Sequence, residues 1–428
     1  MKRSGAALLA TFALATIAPR EARAQSDSGS VTTLTLHEAV ARALAQNPTM
    51  AIARDEIRRA HALTEQVRAA SLPSVTANAT GTRLDSDRIV NGMVFQPATQ
   101  LAFAATVTLP IVVPQRWVQW SQSVEGEAVA RSNEATVRQQ LAAAVASAYL
   151  DVIAQHRVIE VLERAAENAR AHEQYAQTRF LGAVGSRLDE VRASQQLATD
   201  LSQLESARTA LARLCEALGV LVAANGPIDA IDAPPLTDPP TLSQALHDSS
   251  RDRADIRQIE AQRRLSLRVA RESWIDYLPV LAAQFSPFNQ NPPTINYPRF
   301  GWEAQIVLAI PVFDGGQRLG AQHERSALAA EAGSRLEGAL RQARAEVRAS
   351  FAAVIHADRA LVQAGEAARL ANDALTLAEQ AFRVGTATGL DVIDAQRTAR
   401  DTGTAVAIAE NDARRARLGL LVASGRFP

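Results

Sequence analysis

The chain has 428 residues, with 45 basic and 45 acidic side chains and 47% hydrophobic residues. That apolar share can bury a core and excludes wholesale disorder, while zero formal net charge argues against nucleic-acid binding driven by phosphate neutralisation. Aromatics are only 4%, which suits closely packed helices better than a bulky enzyme core, and the single cysteine, Cys215, excludes an intrachain disulfide framework and a Cys-cluster metal site.

Residues 1–24 read as a secretory signal peptide. Lys2 and Arg3 precede an apolar stretch from Ala6 to Ala18, and Ala22-Arg23-Ala24 is an A-x-A cleavage site. The competing reading is a short membrane anchor. The first repeat, 25–224, opens with a helical segment from Thr35-Leu36 to Leu72-Pro73. The period then changes from 3.6 to 2. Val75, Ala77 and Ala79 alternate with Ser74, Thr76 and Asn78; Leu101, Phe103, Val107 and Leu109 alternate with Gln100, Thr106 and Thr108. Two strands are predicted, over 74–84 and 100–110, joined by a long loop near Asp85–Thr99.

No proline occurs between Pro114 and Pro227, and helix interiors exclude proline because it lacks the N–H and clashes with the preceding turn. A helical hairpin over 115–223 follows, interrupted only at Gly182-Ala183-Val184-Gly185. Its long arm of about 68 residues would reach roughly 100 Å. The return arm carries Leu197, Leu201, Leu204, Leu211, Leu214 and Leu218 at coiled-coil spacing, with Cys215 in the same stripe as a small packed hydrophobe. Residues 225–240 hold five of the 18 prolines and form an extended linker.

The second repeat, 241–428, restates the first. Thr241-Leu242 to Leu278-Pro279 has the length of its counterpart, offset by 206 positions. Strands over 280–288 and 300–311 carry Leu281, Ala283 and Phe285, then Phe300, Trp302, Ile306, Leu308 and Ile310, on one side. A hairpin over 314–425 turns at Gly385–Gly389. Tyr149 matches Phe351, Phe180 matches Phe382, and Leu188-Asp189 matches Leu390-Asp391. Gene duplication explains these nearly constant offsets.

Four ten-residue strands, apolar on one face and small or polar on the other, are the signature of transmembrane β-strands; two soluble hairpins packed on helices are the alternative. Trp117, Trp120, Trp274 and Tyr277 lie where strands meet helices, and such rings favour the membrane interface. Four strands cannot close a membrane barrel, and open edges are forbidden in lipid. Other copies must complete it, eight strands from two or twelve from three.

The order of elements, the opening Leu34-Thr35-Leu36-His37-Glu38-Ala39 through Asn47-Pro48, the motif Ile310-Pro311-Val312-Phe313-Asp314-Gly315-Gly316, and Phe382-Arg383-Val384-Gly385 followed by Leu390-Asp391-Val392-Ile393-Asp394 resemble the TolC-like outer-membrane factors, over about Leu34 to Ala423. The resemblance implies a mainly α fold with a membrane β-barrel portion. It implies a homotrimer with a 12-stranded barrel in outer-membrane lipid of a Gram-negative-type cell, continued by a periplasmic α-helical barrel. It implies a passive exit duct for efflux or type I secretion, opened by a periplasmic adaptor (a membrane fusion protein) and an inner-membrane pump of RND or ABC type. No cofactor, metal or nucleic acid is expected. The first copy lacks Phe-Asp-Gly-Gly at Pro110–Gln115, and the tyrosine and arginine that help lock the family's tip align with Phe382 and Ala387.

Asp391 and Asp394 share one helix face just past a turn, where threefold symmetry would make each a carboxylate ring. The alternative for Asp391 is a helix cap. Asp189 matches Asp391 in the first copy, and Arg187 or Arg192 is placed to pair with the opposite hairpin's aspartates. Gly182, Gly185 and Gly385 permit the tip turns, where by resemblance an adaptor docks. Seven scattered histidines without H-E-x-x-H, and no P-loop, G-x-G-x-x-G or G-x-S-x-G, argue against an enzyme. A soluble periplasmic coiled-coil scaffold or adaptor is the rival, but it leaves the amphipathic strands unexplained.

Overall fold

The computed structural model describes residues 32–427 except 91, 233, 234, 236 and 237. The proposed signal peptide and Pro234 of the linker lie outside the described residues. In chain order the elements are β1 (Thr32–Leu34), α1 (Leu36–Gln46), α2 (Pro48–Ala69), β2 (Ser74–Arg83), β3 (Arg88–Val90), β4 (Met93–Gln96), β5 (Thr99–Val112), α3 (Pro114–Leu181), α4 (Arg187–Leu221), β6 (Ile228–Ala230), α5 (Leu242–Arg251), α6 (Ala254–Arg271), a 3-10 turn (Glu272–Tyr277), β7 (Val280–Asn291), β8 (Phe300–Ala309), α7 (Gln317–Arg383) and α8 (Gly389–Ser424).

Each opening helical segment is two helices rather than one. Thr35 and Thr241 begin them with capping boxes, reciprocated by Glu38 and Gln244. The first breaks at Asn47-Pro48, because Pro48 has no N–H to continue the ladder. Asn47 accepts from the Thr49 N–H at 2.8 Å and donates to the Leu221 carbonyl at 2.8 Å, tying the break to the end of α4. The second breaks at Asp252-Arg253.

The four long strands form one antiparallel sheet in the order β2-β5-β7-β8. Register assigns the faces. Val75 lies opposite Val107, Val107 opposite Phe285, and Phe285 opposite Ala304. Leu109, Ala283 and Ile306 form a second such row. The other face carries Gln100 bonded to Gln290 and Ser286 bonded to Thr106. Leu101, Phe103, Phe285, Phe300, Trp302, Ile306 and Leu308 are all exposed in the isolated protomer. Among the described residues nothing covers the apolar face, and the outer edges β2 and β8 have no further strand beside them.

Two features of the β region depart from the sequence reading. The loop near Asp85–Thr99 contains the short hairpin β3-β4. Part of the linker is a strand, as β6 pairs in parallel with β1 and joins Thr32–Leu34 to Ile228–Ala230. This pairing lies over Tyr149, whose hydroxyl reaches the carbonyls of Leu34 and Asp232. The matched residue Phe351 has no hydroxyl and packs half-buried against Val347, Val354 and Leu420.

The helices form a layer. Beside the sheet the neighbours run α2-α3-α6-α7; farther away they run α4-α3-α8-α7. The main core gathers Tyr149, Val145, Val152, Leu218, Val222 and Met50, with Cys215 among them. Burial and the nearby Asp229 push the Cys215 thiol up to about 11, so it stays a protonated packing group. Four of the six stripe leucines, Leu204, Leu211, Leu214 and Leu218, belong to or pack against the cores. Leu204 and Leu218 are buried, but Leu197, Leu201, Leu211 and Leu214 are half-buried, and Ala193, Gln196 and Asp200 share the buried face instead.

Candidate gate at the hairpin tips

The two hairpins turn at the end of the helical layer remote from the sheet. At the second turn, Thr388 caps α8 and exchanges hydrogen bonds with Asp391, whose carboxylate accepts from the Thr388 N–H and hydroxyl at 2.7 Å each. These bonds, the backbone one first, hold the Asp391 pKa below its ordinary value. Asp394, one turn on, is exposed beside it. Asp391 is therefore a capping residue in the protomer, on the same exposed face as Asp394.

Asp189 lies against the start of α8; a Cβ placed on Gly389 would stand 3.3 Å from its Oδ1. Arg187 turns back to Glu190 of its own helix, and its guanidinium sits 5.4 Å from the Phe180 ring centre. Arg192 lines a cavity of about 370 Å³ between the tips, together with Asp189, Arg179 and Phe382.

The tip glycines divide by role. Gly385 has φ +82°, the left-handed region that favours glycine. In the first hairpin the left-handed position is Ala183, at φ 57°, so Gly182 does not supply it. Gly185 supplies room: a Cβ there would lie 2.8 Å from the Arg179 Cβ.

The sequence reading did not single out Arg179. It reaches from α3 of the first hairpin to the end of α7 in the second, with its guanidinium 5.1 Å from the Phe382 ring centre. Phe382 is 6% exposed. Tyr175 meets it edge-on at 5.6 Å, and His172 lies at 5.2 Å. Burial pushes the His172 pKa down, opposed by Asp189, and its Nε2 has no partner. An arginine and two rings from the opposite hairpin thus enclose Phe382. The signal in the sequence was the i, i+3 or i, i+4 spacing of His172, Tyr175 and Arg179, which sets all three on one face of α3.

The membrane-interface candidates sit between the sheet and the helical layer. Trp117 and Trp120 lie in the first turns of α3, and Trp274 and Tyr277 in the 3-10 turn before β7; all four are exposed. Arg68 stacks on Trp120 at 5.4 Å and Arg318 on Tyr277 at 4.8 Å. Among the described residues no helix is long and apolar enough to cross a membrane.

Solved structures share this fold. The outer membrane protein VceC from Vibrio cholerae is 17% identical, with a TM-score of 0.74 over 91% of this chain and 96% of that one. The Campylobacter jejuni CmeC outer membrane channel is 16% identical, with a TM-score of 0.77 over 92% and 86%. The open-state Neisseria gonorrhoeae MtrE outer membrane channel is 19% identical, with a TM-score of 0.73 over 91% and 88%. No curated protein matches the chain at a significant level. The family profile described as outer membrane efflux protein matches residues 39–223 and 240–426, one repeat each. Duplicated strands and hairpins, an unpartnered apolar sheet face and a family match over both repeats agree: the chain belongs to the outer membrane efflux protein family.

Proposed function

We propose that three copies close the open sheet into a twelve-stranded barrel and continue it as a helical barrel, making a passive duct gated at the hairpin tips. The role as an outer-membrane efflux channel follows from the family. The observation that supports a barrel closed by several copies is the four-stranded sheet with an exposed apolar face and two open edges, and the number three rests on the likeness to the family. Lipid offers no hydrogen bonds to open edges, so β2 of one copy pairs with β8 of the next. In the helical layer α4 and α7 are the flanks left for neighbouring copies.

The tips supply the constriction. Asp391 and Asp394, repeated by threefold symmetry, line the throat with carboxylates and favour cations. The enclosed Phe382 holds each second hairpin against the first. A periplasmic adaptor engages the turns at Gly182–Gly185 and Gly385, and an inner-membrane pump of RND or ABC type supplies the energy. Recovery of a heat-modifiable trimer from outer membranes, conducting in planar bilayers, is the expected result. Recovery as a soluble periplasmic monomer sinks the duct. Unchanged cation preference and divalent block in an Asp391→Ala/Asp394→Ala trimer removes the carboxylate ring while leaving the duct.

A further inference from the structure

The return arms of the two hairpins meet at a buried polar network above the tips. Arg400 of α8 donates from Nη1 to Oδ1 of Asp200 on α4 at 2.6 Å. Asp200 is 2% exposed and Gln196 1%. Gln196 donates from Nε2 to both Asp200 oxygens at 2.9 and 3.0 Å, and its Oε1 accepts from Arg397 Nε at 2.6 Å. Arg400 also pairs with Asp401 at 2.8 Å. α4 contributes Gln196 and Asp200 and α8 contributes Arg397, Arg400 and Asp401, and the Asp200 carboxylate, Gln196 amide and Arg400 guanidinium all find partners across or along the seam. The repeats do not explain it: at the offset that pairs Asp189 with Asp391, Asp200 matches Thr402 and Arg400 matches Ala198.

Packing along the seam changes at this height. On the sheet side both return arms pack on α3 instead, and Gly403 of α8 lies so close to it that an added Cβ would stand 3.0 Å from Val161 Cγ1. Farther along, Arg415 pairs with Asp151 at 2.7 Å. On the tip side a cavity of about 450 Å³ lies between α3, α7 and α8 beside His172, Phe382 and Val392, and another of about 370 Å³ lies at the turns, lined by both hairpins. His172 Nε2 is buried beside the first of these without a partner, whereas Gln396 Oε1 is unpartnered at the network itself and Asn411 Oδ1 and Arg414 Nε on its sheet side. Cavities forfeit dispersion contacts, so the part below the network, which borders these two cavities, is the less resistant to opening.

We infer that the Asp200–Arg400 pair is the fulcrum of the gate: it clamps α4 to α8, so that the tips part below it while the arms above stay packed. This rests on the gate reading above. The pair lies 13 residues into α4 and 11 into α8, which confines the moving part to roughly the last 20 Å of each arm. A buried ion pair suits this task. Its attraction is strong at contact in a low dielectric, and parting the charges strands each without a partner, so it resists gradual slippage. Asp200 and Arg400 are positioning residues; they hold the hairpins that carry the constriction.

The test uses full-length trimers in lipid on a Cys215→Ser background. Spin labels at Leu188 and Leu390 report below the pair, and labels at Thr209 and Ile408 report above it. In a Phe382→Ala trimer, the lower distance is expected to broaden and lengthen while the upper one stays fixed. Adding Asp200→Asn or Arg400→Gln is expected to release the upper distance as well. In an otherwise native trimer the same substitutions are expected to raise the open fraction about tenfold, the equivalent of ~1.4 kcal/mol. Arg400→Lys, which keeps the charge, is expected to retain most of the closure. Upper and lower distances moving together in Phe382→Ala overturn the fulcrum. So does an upper distance indifferent to Asp200→Asn in trimers that still assemble. If Phe382→Ala changes neither distance nor conductance, the gate reading itself fails.

Discussion

Arg179 of the first hairpin holds its guanidinium 5.1 Å from the centre of the Phe382 ring in the second, and its Nη1 lies 3.5 Å from the Phe382 carbonyl oxygen. The contact joins residues 203 positions apart at the tips. It combines a cation over an aromatic face, worth roughly 0.5–2 kcal/mol, with an apolar ring withdrawn from water.

Arg179→Ala is expected to raise the closed-state conductance of the trimer in planar bilayers by about tenfold, corresponding to ~1.4 kcal/mol. Phe382→Ala is expected to act more strongly, because emptying a buried aromatic site costs about 3–5 kcal/mol. Phe382→Tyr keeps the ring and is expected to stay near native. Wild-type conductance in Arg179→Ala removes the contact from the gate.

The tip is expected to weaken in mild acid. Burial lowers the His172 pKa below its ordinary 6.5 in the closed packing, with Asp189 of α4 opposing. Glu379 and Arg383 of α7 line the adjoining cavity, and Tyr175 and Arg179 lie on its own helix. The released state binds more protons than the packed one between the packed pKa and about 6.5, so stability is full above 6.5 and falls as pH drops through that window. Tip opening followed by fluorescence of a label on the turn checks this. His172→Gln is expected to flatten the profile between pH 7 and 5.

Gly185→Ala and Gly385→Ala are expected to destabilise the tips by about 1–3 kcal/mol, by different mechanisms. The first forces a Cβ against Arg179; the second forces a side chain into φ +82°. Gly182→Ala is expected to be close to neutral, since its φ is −79° and its nearest contact is an ordinary 3.4 Å. Protease nicking at the turns of the assembled trimer measures all three. Equal sensitivity of Gly182→Ala and Gly185→Ala would contradict the assignment.

Ile306 is 76% exposed on the apolar sheet face, whereas Thr106 lies on the polar face. Ile306→Arg is expected to cost about 2–4 kcal/mol in a lipid-facing position and to reduce trimer recovery. Thr106→Arg is expected to assemble and to shift ion selectivity. Heat-modifiable migration scores the first, and reversal potentials score the second.

The strands were legible because a half-buried strand has period 2, and Val75-Ala77-Ala79 or Trp302-Ala304-Ile306 displays it without tertiary context. The long helices were legible because proline is absent from them, and the tip turns because glycine clusters there. The break at Asn47-Pro48 was equally written in the sequence but was overridden by a continuous apolar period. Arg179 and the Gln196–Asp200–Arg397–Arg400 network were not legible. An arginine on a helix looks the same whether it meets water or a ring on another hairpin.

The sequence by itself determined the duplication, the amphipathic strands and the hairpins, because repeats, side-chain periods and proline exclusion act through neighbours in the chain. Only the tertiary structure decided which strand pairs with which, that α3 lies between α4 and α8, and that Arg179 and Arg400 find partners about 200 positions away. Those contacts depend on helix rotation and hairpin height. A shift of one residue turns a side chain on a helix by about 100°, and no local pattern encodes it.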